Sequence, residues 1–292
     1  MRHCEPFSKT YKSLVSEIMD VGTTEKNERT GVEIKMIEGG ASFKLDLSYG
    51  KLPVVGNRAM YPHIAAAETA WQFMGTKDPS FIMAYAPKLW SKFIEDDELK
   101  TAYGYRWREH FGRDQLIDAL NQLVVNQTNR QLYISAWDPS ADGLGADNQP
   151  KNIPCPVGFS VSRSKDKLHM SVFLRSSDVF VGLPYDVMGY ALTMDAIAAS
   201  VGITPASLHV TLAHPHIYKP HWGYANAHLR EGDIIPLDEK GLSLQQGLHE
   251  PSLPGWTVDQ ILKNPGAYVD TVRRLSKRVV RHKWDPMPKV VE

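Results

Sequence analysis

The chain has 292 residues, 42% of them hydrophobic and 23% charged, with Lys+Arg and Asp+Glu equal at 33 each. That length can bury a full core, and the balanced charge supplies no net basic excess to hold a nucleic-acid polymer by counterion release. Two cysteines, Cys4 and Cys155, supply neither a disulfide framework nor Cys/His metal-ligand spacing. The polar N-terminus and the lack of a run of about 20 apolar residues leave no membrane partner and predict a cytoplasmic location.

In chain order, apolar positions Tyr11, Leu14, Val15, Ile18 and Met19 predict a helix over Phe7 to Val21, and Gly22 to Asn27 reads as a turn. Alternation predicts strands at Val32 to Ile37 and Ser42 to Leu47. Pro62 opens a helix to Met74, and another is expected from Arg113 to Val125. The second half changes period: Leu132 to Ala136, Val157 to Ser162 and Leu168 to Leu174 read as strands, with Ser164 to Lys167 as the turn joining the last two. Pro184 to Val201 is a long apolar helix, and Leu208 to Tyr218 reads as one strand. Asp138 to Lys151, just before Cys155, is the most loop-like stretch. Helices and strands mix without regular βαβ alternation, so the expected class is α+β around a mixed sheet, in one domain over 1–292.

Two segments carry chemistry. In Ile153-Pro154-Cys155-Pro156 an isolated cysteine lies between prolines, ordinarily the mark of a small buried side chain. Downstream, Arg175-Ser176-Ser177-Asp178-Val179-Phe180-Val181-Gly182-Leu183-Pro184-Tyr185-Asp186 packs a cation, two hydroxyls, two carboxylates and a Gly-Leu-Pro turn into twelve positions. By itself such a string is a strand end, a turn and the first turn of a helix.

Together the two segments resemble the thymidylate synthase superfamily, whose hallmark is Pro-Cys followed by Arg-Ser-x-Asp-x-Phe-x-Gly-Leu-Pro. Further similar segments follow in family order: Arg29-Thr30-Gly31, Glu68-Thr69-Ala70-Trp71, Trp90, Tyr103-Gly104-Tyr105-Arg106-Trp107, Arg130, Ser135-Ala136-Trp137, His216-Ile217-Tyr218 and Asp285-Pro286-Met287-Pro288. The resemblance implies a homodimer through back-to-back sheets and 5,10-methylenetetrahydrofolate as co-substrate. It casts Cys155 as the nucleophile that adds to C6 of a pyrimidine nucleotide, making C5 reactive. Arg29, Arg175 and Ser176, with Arg130 from the other subunit, would bind the 5′-phosphate, and those cations would favour the Cys155 thiolate. His216 and Tyr218 would hold the sugar 3′-hydroxyl, and Glu68 would be the general acid/base. Trp90, Asp178, Gly182 and Arg58 fall at folate positions.

The departure that matters most is Asp186, where the synthases place Asn. An amide offers one donor and one acceptor, matching uracil, whereas a carboxylate accepts both hydrogens of an N3-protonated cytosine. The deoxycytidylate hydroxymethylases of this superfamily show the same change, which points to dCMP as substrate. Pro156, Gln131, Phe93, Leu174 and His214 also depart from the family pattern. The four residues after Pro288 make a short tail, which the resemblance links to water entry and a hydroxymethyl product. Methylation of dCMP, a dUMP-specific synthase or hydroxymethylase, and a non-catalytic nucleotide- or RNA-binding protein are the alternatives.

Overall fold

The computed structural model describes residues 7–28, 30–56, 60–145, 150–230 and 250–276. Arg29, Arg58, Cys4 and the segment from Asp285 onward lie outside the described residues. Helix α1 (Phe7–Val21) buries the helically spaced side chains that the sequence singled out. The segment read as a turn is instead strand β1 (Thr23–Lys26), which pairs antiparallel with β2 (Glu33–Met36). All four β1 residues are exposed and polar, so backbone pairing, with no apolar alternation, makes the strand. Strand β3 (Ala41–Asp46) follows as expected.

Helix α2 (Pro62–Met74) starts at its proline and stops at Gly75, which takes the left-handed conformation that glycine accepts without strain. Short helices α3 (Ser80–Met83), α4 (Pro87–Trp90) and α5 (Tyr103–Tyr105) lie between it and α6 (Gln115–Val125), which the Asp114 side chain caps through the Ile117 amide. Gly104 is required where it stands. A Cβ there would lie 1.9 Å from the Gln72 carbonyl oxygen, so only glycine lets α5 touch the backbone of α2.

The remaining elements are β4 (Tyr133–Ser135), β5 (Pro156–Ser164), β6 (Lys167–Leu174), β7 (Ser177–Asp178), α7 (Leu183–Ser200), β8 (Thr204–Leu212), β9 (Pro215–Tyr218), α8 (Trp222–Arg230), α9 (Val258–Lys263) and α10 (Pro265–Leu275). The class is α+β, but the strands form two mixed sheets rather than one. Among the described residues these are a four-stranded sheet ordered β1-β2-β9-β7 and a five-stranded sheet ordered β3-β8-β6-β5-β4. β6 pairs parallel with β8 and β7 with β9; the other pairings are antiparallel. The run Leu208 to Tyr218 is therefore two strands, β8 and β9, in different sheets, with the break at Ala213-His214.

Helix α7 is buried along nearly its whole circumference because it packs against β6 and β8 on one side and α2 on the other. In β6, Leu168, Met170, Val172 and Leu174 are buried, while Lys167, Ser171 and Phe173 are exposed. Each such buried side chain contributes about 1.5–3 kcal/mol over an exposed one, so a one-residue slip of register is excluded. Among the described residues no helix is long and apolar enough to cross a membrane.

Candidate active site

The loop from Lys151 enters β5 through Pro154-Cys155-Pro156, and two of its residues lack a backbone N–H to pair with neighbours. Its carbonyls are held instead by a cation at the end of β6. The Arg175 amide donates to the Cys155 carbonyl at 2.9 Å. The same residue's Nε donates to the Pro154 carbonyl at 2.8 Å and its Nη2 to the Ile153 carbonyl at 3.0 Å. The Thr101 hydroxyl donates to the Asn152 carbonyl. The cysteine, half-buried and in no disulfide, is thus set beside Arg175 by the backbone on either side of it.

Beside this loop, touching Asn152 and Pro156, lies a cavity of about 660 Å³, a size suited to a small organic ligand. Its walls are largely apolar, with Ile64, Leu89, Trp90, Phe93 and Tyr185 among them, and its polar edge is Glu68, Tyr103, Asn152 and Asp186. Glu68 projects from α2 and accepts a hydrogen bond from Trp90 Nε1 at 3.1 Å. Burial pushes its carboxyl up to about 7, and the Trp90 bond only partly opposes this. Asp186 sits in the first turn of α7. Burial pushes it up to about 8, and the charges of Glu68 and Asp178 add to the shift. A helix N-terminus favours an anion by no more than about 2 kcal/mol. Desolvation outweighs this and pushes the Asp186 carboxyl toward its protonated form.

Tyr103 ties these groups together. Its phenol is raised well above the ordinary tyrosine value, first by burial and then by the charges of Cys155, Asp186 and Glu68, with a hydrogen bond to the Cys155 backbone acting against them. Burial raises Tyr190 similarly, and Asp186, Tyr103 and Cys155 add to it. Cys155, Glu68, Asp186 and the two tyrosines therefore form one electrostatic cluster. Neither tyrosine was assigned a role from the sequence. Tyr103 stood within Tyr-Gly-Tyr-Arg-Trp, and its neighbour Gly104 was the available signal, because a glycine inside a helical run marks close approach.

Asp178 Oδ1 accepts the Phe180 and Val181 amides, both at 3.1 Å, shaping the turn into Gly182. Its buried Oδ2 has no hydrogen-bond partner and lies 3.9 Å from His221 Nδ1. Gly182 lines the cavity, and a Cβ there would lie 3.3 Å from the Asp178 carbonyl oxygen. Strand β7 pairs Asp178 with His216 of β9. His216 and Tyr218 share a face with their rings edge-on at 4.9 Å, and both are buried. His216 Nδ1 donates to the His214 carbonyl at 3.0 Å, which leaves Nε2 as the acceptor nitrogen. Ser176 is half-buried beside Arg175.

Of the predicted site residues, Glu68, Trp90, Gly182 and Asp186 line the cavity; Cys155, Arg175, Ser176, Asp178, His216 and Tyr218 are not among its lining residues, and Arg130 lies apart from them. It is exposed, just before the edge strand β4, and makes no ion pair among the described residues. Of the departures from the family pattern, Pro156 and Phe93 line the cavity, whereas Leu174 is buried in β6. Over residues 9–246 the chain matches the family model described as thymidylate synthase.

Proposed function

The chain belongs to the thymidylate synthase family and is therefore an enzyme of folate-dependent one-carbon transfer to C5 of a pyrimidine nucleotide; within that activity we propose that it hydroxymethylates dCMP, as a single catalytic unit over 1–292. The observation that carries this reading is the buried Asp186 carboxyl, which shares the cavity with Glu68 and is raised toward protonation within the cluster that includes Cys155. The cavity also fits the family's co-substrate, methylenetetrahydrofolate. Trp90 and Phe93 offer aromatic walls for its ring system. When bound, that co-substrate supplies the one-carbon unit at the oxidation level of formaldehyde.

Arg175, Ser176 and Arg29, with Arg130 of the partner subunit, take the phosphate, and His216 and Tyr218 take the sugar hydroxyl. The resemblance assigns Arg58 to the folate tail. The Cys155 sulfur forms a bond to C6, and the displaced electron pair moves through the ring toward N3. Asp186 holds the proton that N3 then needs, while its other oxygen accepts from the exocyclic amino group. C5 then bonds the one-carbon unit as that carbon's bond to the folate nitrogen breaks and tetrahydrofolate leaves; Glu68, whose proton leaves near neutrality, takes up the C5 proton and activates a water. That water adds to the methylene carbon at C5, the S–C6 bond breaks to restore the ring double bond, and N3 returns its proton to Asp186.

A second reading, dUMP as substrate, is favoured by the same observation. A neutral carboxyl has one donor and one acceptor, the pair that an amide shows to uracil. The preference for cytosine rests on the aspartate at this position, which the family resemblance links to the deoxycytidylate branch. The deciding experiment incubates the protein with methylenetetrahydrofolate and either dCMP or dUMP. Product mass and absorbance of dihydrofolate are then followed. Hydroxymethyl-dCMP without dihydrofolate is expected; a methyl product with dihydrofolate, or turnover confined to dUMP, overturns the assignment. Cys155→Ser should abolish turnover in either case.

A further inference from the structure

The guanidinium of Arg175 is held on more sides than a phosphate ligand needs. Two of its nitrogens fork onto the Pro154 and Ile153 carbonyls, and its carbon lies 5.6 Å from the centre of the Trp137 ring. A planar cation bonded along one edge and stacked on one face keeps a single orientation. Nη1, with no hydrogen-bond partner among the described residues, is left to face a ligand. Trp137 is itself fixed from three directions. Its amide and that of Ala136 donate to the Val157 carbonyl at 3.1 and 2.9 Å, and its carbonyl accepts from Ser135 Oγ at 3.0 Å. The edge of its indole meets Gly143, where a Cβ would lie 3.0 Å from Cη2.

Gly143 belongs to a loop clamped from within the protein. Asp142, fully buried, takes two hydrogen bonds from Arg106, at 2.8 Å from Nη1 and 3.1 Å from Nη2, and a third from the Asp138 amide at 2.9 Å. Arg106 Nη1 also donates to the Ala136 carbonyl at 3.3 Å. A buried ion pair loses to desolvation most of what it gains by attraction, so its better-attested use is to specify one arrangement over others. Here the arrangement specified is that of the loop, the indole and, through the indole, the cation beside Cys155.

We propose that Trp137 is a positioning residue for nucleotide phosphate, holding Arg175 in its phosphate-facing orientation, with the buried Arg106–Asp142 pair as the clamp that keeps the indole in place. The inference rests on the reading of Arg175 as a phosphate ligand. The test compares dCMP with deoxycytidine, each measured by protection of Cys155 from iodoacetamide, with dUMP and deoxyuridine run in parallel so that an error about the base leaves the phosphate comparison intact. Trp137→Leu should weaken nucleotide binding about tenfold and leave nucleoside binding within about twofold, while Trp137→Phe, which keeps a ring face, should restore most of the loss. Asp142→Asn should act in the same direction but less, and serves if Trp137→Leu does not fold. Equal loss for nucleotide and nucleoside, or no loss for either, overturns the proposal. Arg175→Ala separates the two layers. If it spares the nucleotide-to-nucleoside ratio, the phosphate reading itself falls and the proposal with it; if it abolishes the ratio while Trp137→Leu does not, only the role of Trp137 falls.

Discussion

Glu68 and Asp186 face one cavity as carboxyls that burial has moved to about 7 and about 8. Raised values mean that each is neutral below its own pKa and anionic above it. Glu68 as proton acceptor is competent only above about 7, and Asp186 as proton donor only below about 8. The proposed mechanism therefore predicts a narrow bell for kcat/KM between those limits, with apparent values that belong to the coupled pair. Asp186→Asn should erase the alkaline limb, lower kcat/KM for dCMP by about 100-fold or more, and raise dUMP turnover. A pH profile on both nucleotides checks this; an unchanged base ratio or a persisting alkaline limb refutes the role of Asp186. Cys155, Glu68 and Asp186 were legible through the family resemblance, because their segments by themselves read as a buried cysteine, a helix and a strand-turn-helix start. Tyr190 was not, since a buried tyrosine in an apolar helix reads as core until its neighbours are known, and Tyr103 was signalled only indirectly, by Gly104 beside it. Nor was the upward shift of Asp186 legible, since it depends on its burial in the folded chain.

Helix α7 shows the same physics away from the cavity. Asp195, 6% exposed, accepts the Gly255 amide at 2.8 Å through Oδ2, yet burial still pushes its carboxyl up to about 6. A folded-state value above the unfolded one means stability that is full below about 4 and lost as pH rises to about 6. Relative to Asp195→Asn, the wild type should lose on the order of 2–3 kcal/mol between pH 4 and pH 8. Thermal or urea unfolding of the two proteins at both pH values measures it, and a constant gap between them would exclude the argument. The apolar continuity of α7 and the alternation of β6 were legible because each is set by what the element packs against. β1 was not, since four exposed polar residues carry no period. β8 and β9 were merged because Leu208 to Tyr218 stays largely apolar through Ala213-His214, and the change of sheet there is a tertiary event with no local signal.

At the scale of the molecule, one face of the five-stranded sheet meets α7, and on the other Ser42, Lys44, Ser171, Phe173 and Tyr133 are exposed. A sheet with a parallel pair at its centre is ordinarily covered on both faces, and Phe173 and Tyr133 remain 39% and 50% exposed in the single chain. Arg130, absent from its own cavity, precedes the edge strand of that sheet. These features support the proposed two-fold dimer in which each chain lends Arg130 to the other's site. Phe173→Asp should convert the dimer to a folded monomer, seen as halved mass in solution, with activity lost along with the lent arginine. A sharper outcome comes from mixing two inactive proteins, Arg130→Ala and Cys155→Ala, after reversible dissociation. In a mixed dimer one site combines both lesions and the other has neither, because an intact Cys155 meets an intact Arg130 from across the interface. Random reassociation makes about half of the dimers mixed, so about a quarter of wild-type activity should return. If each chain instead used its own Arg130, no site in any dimer would be whole, and mixing would restore nothing.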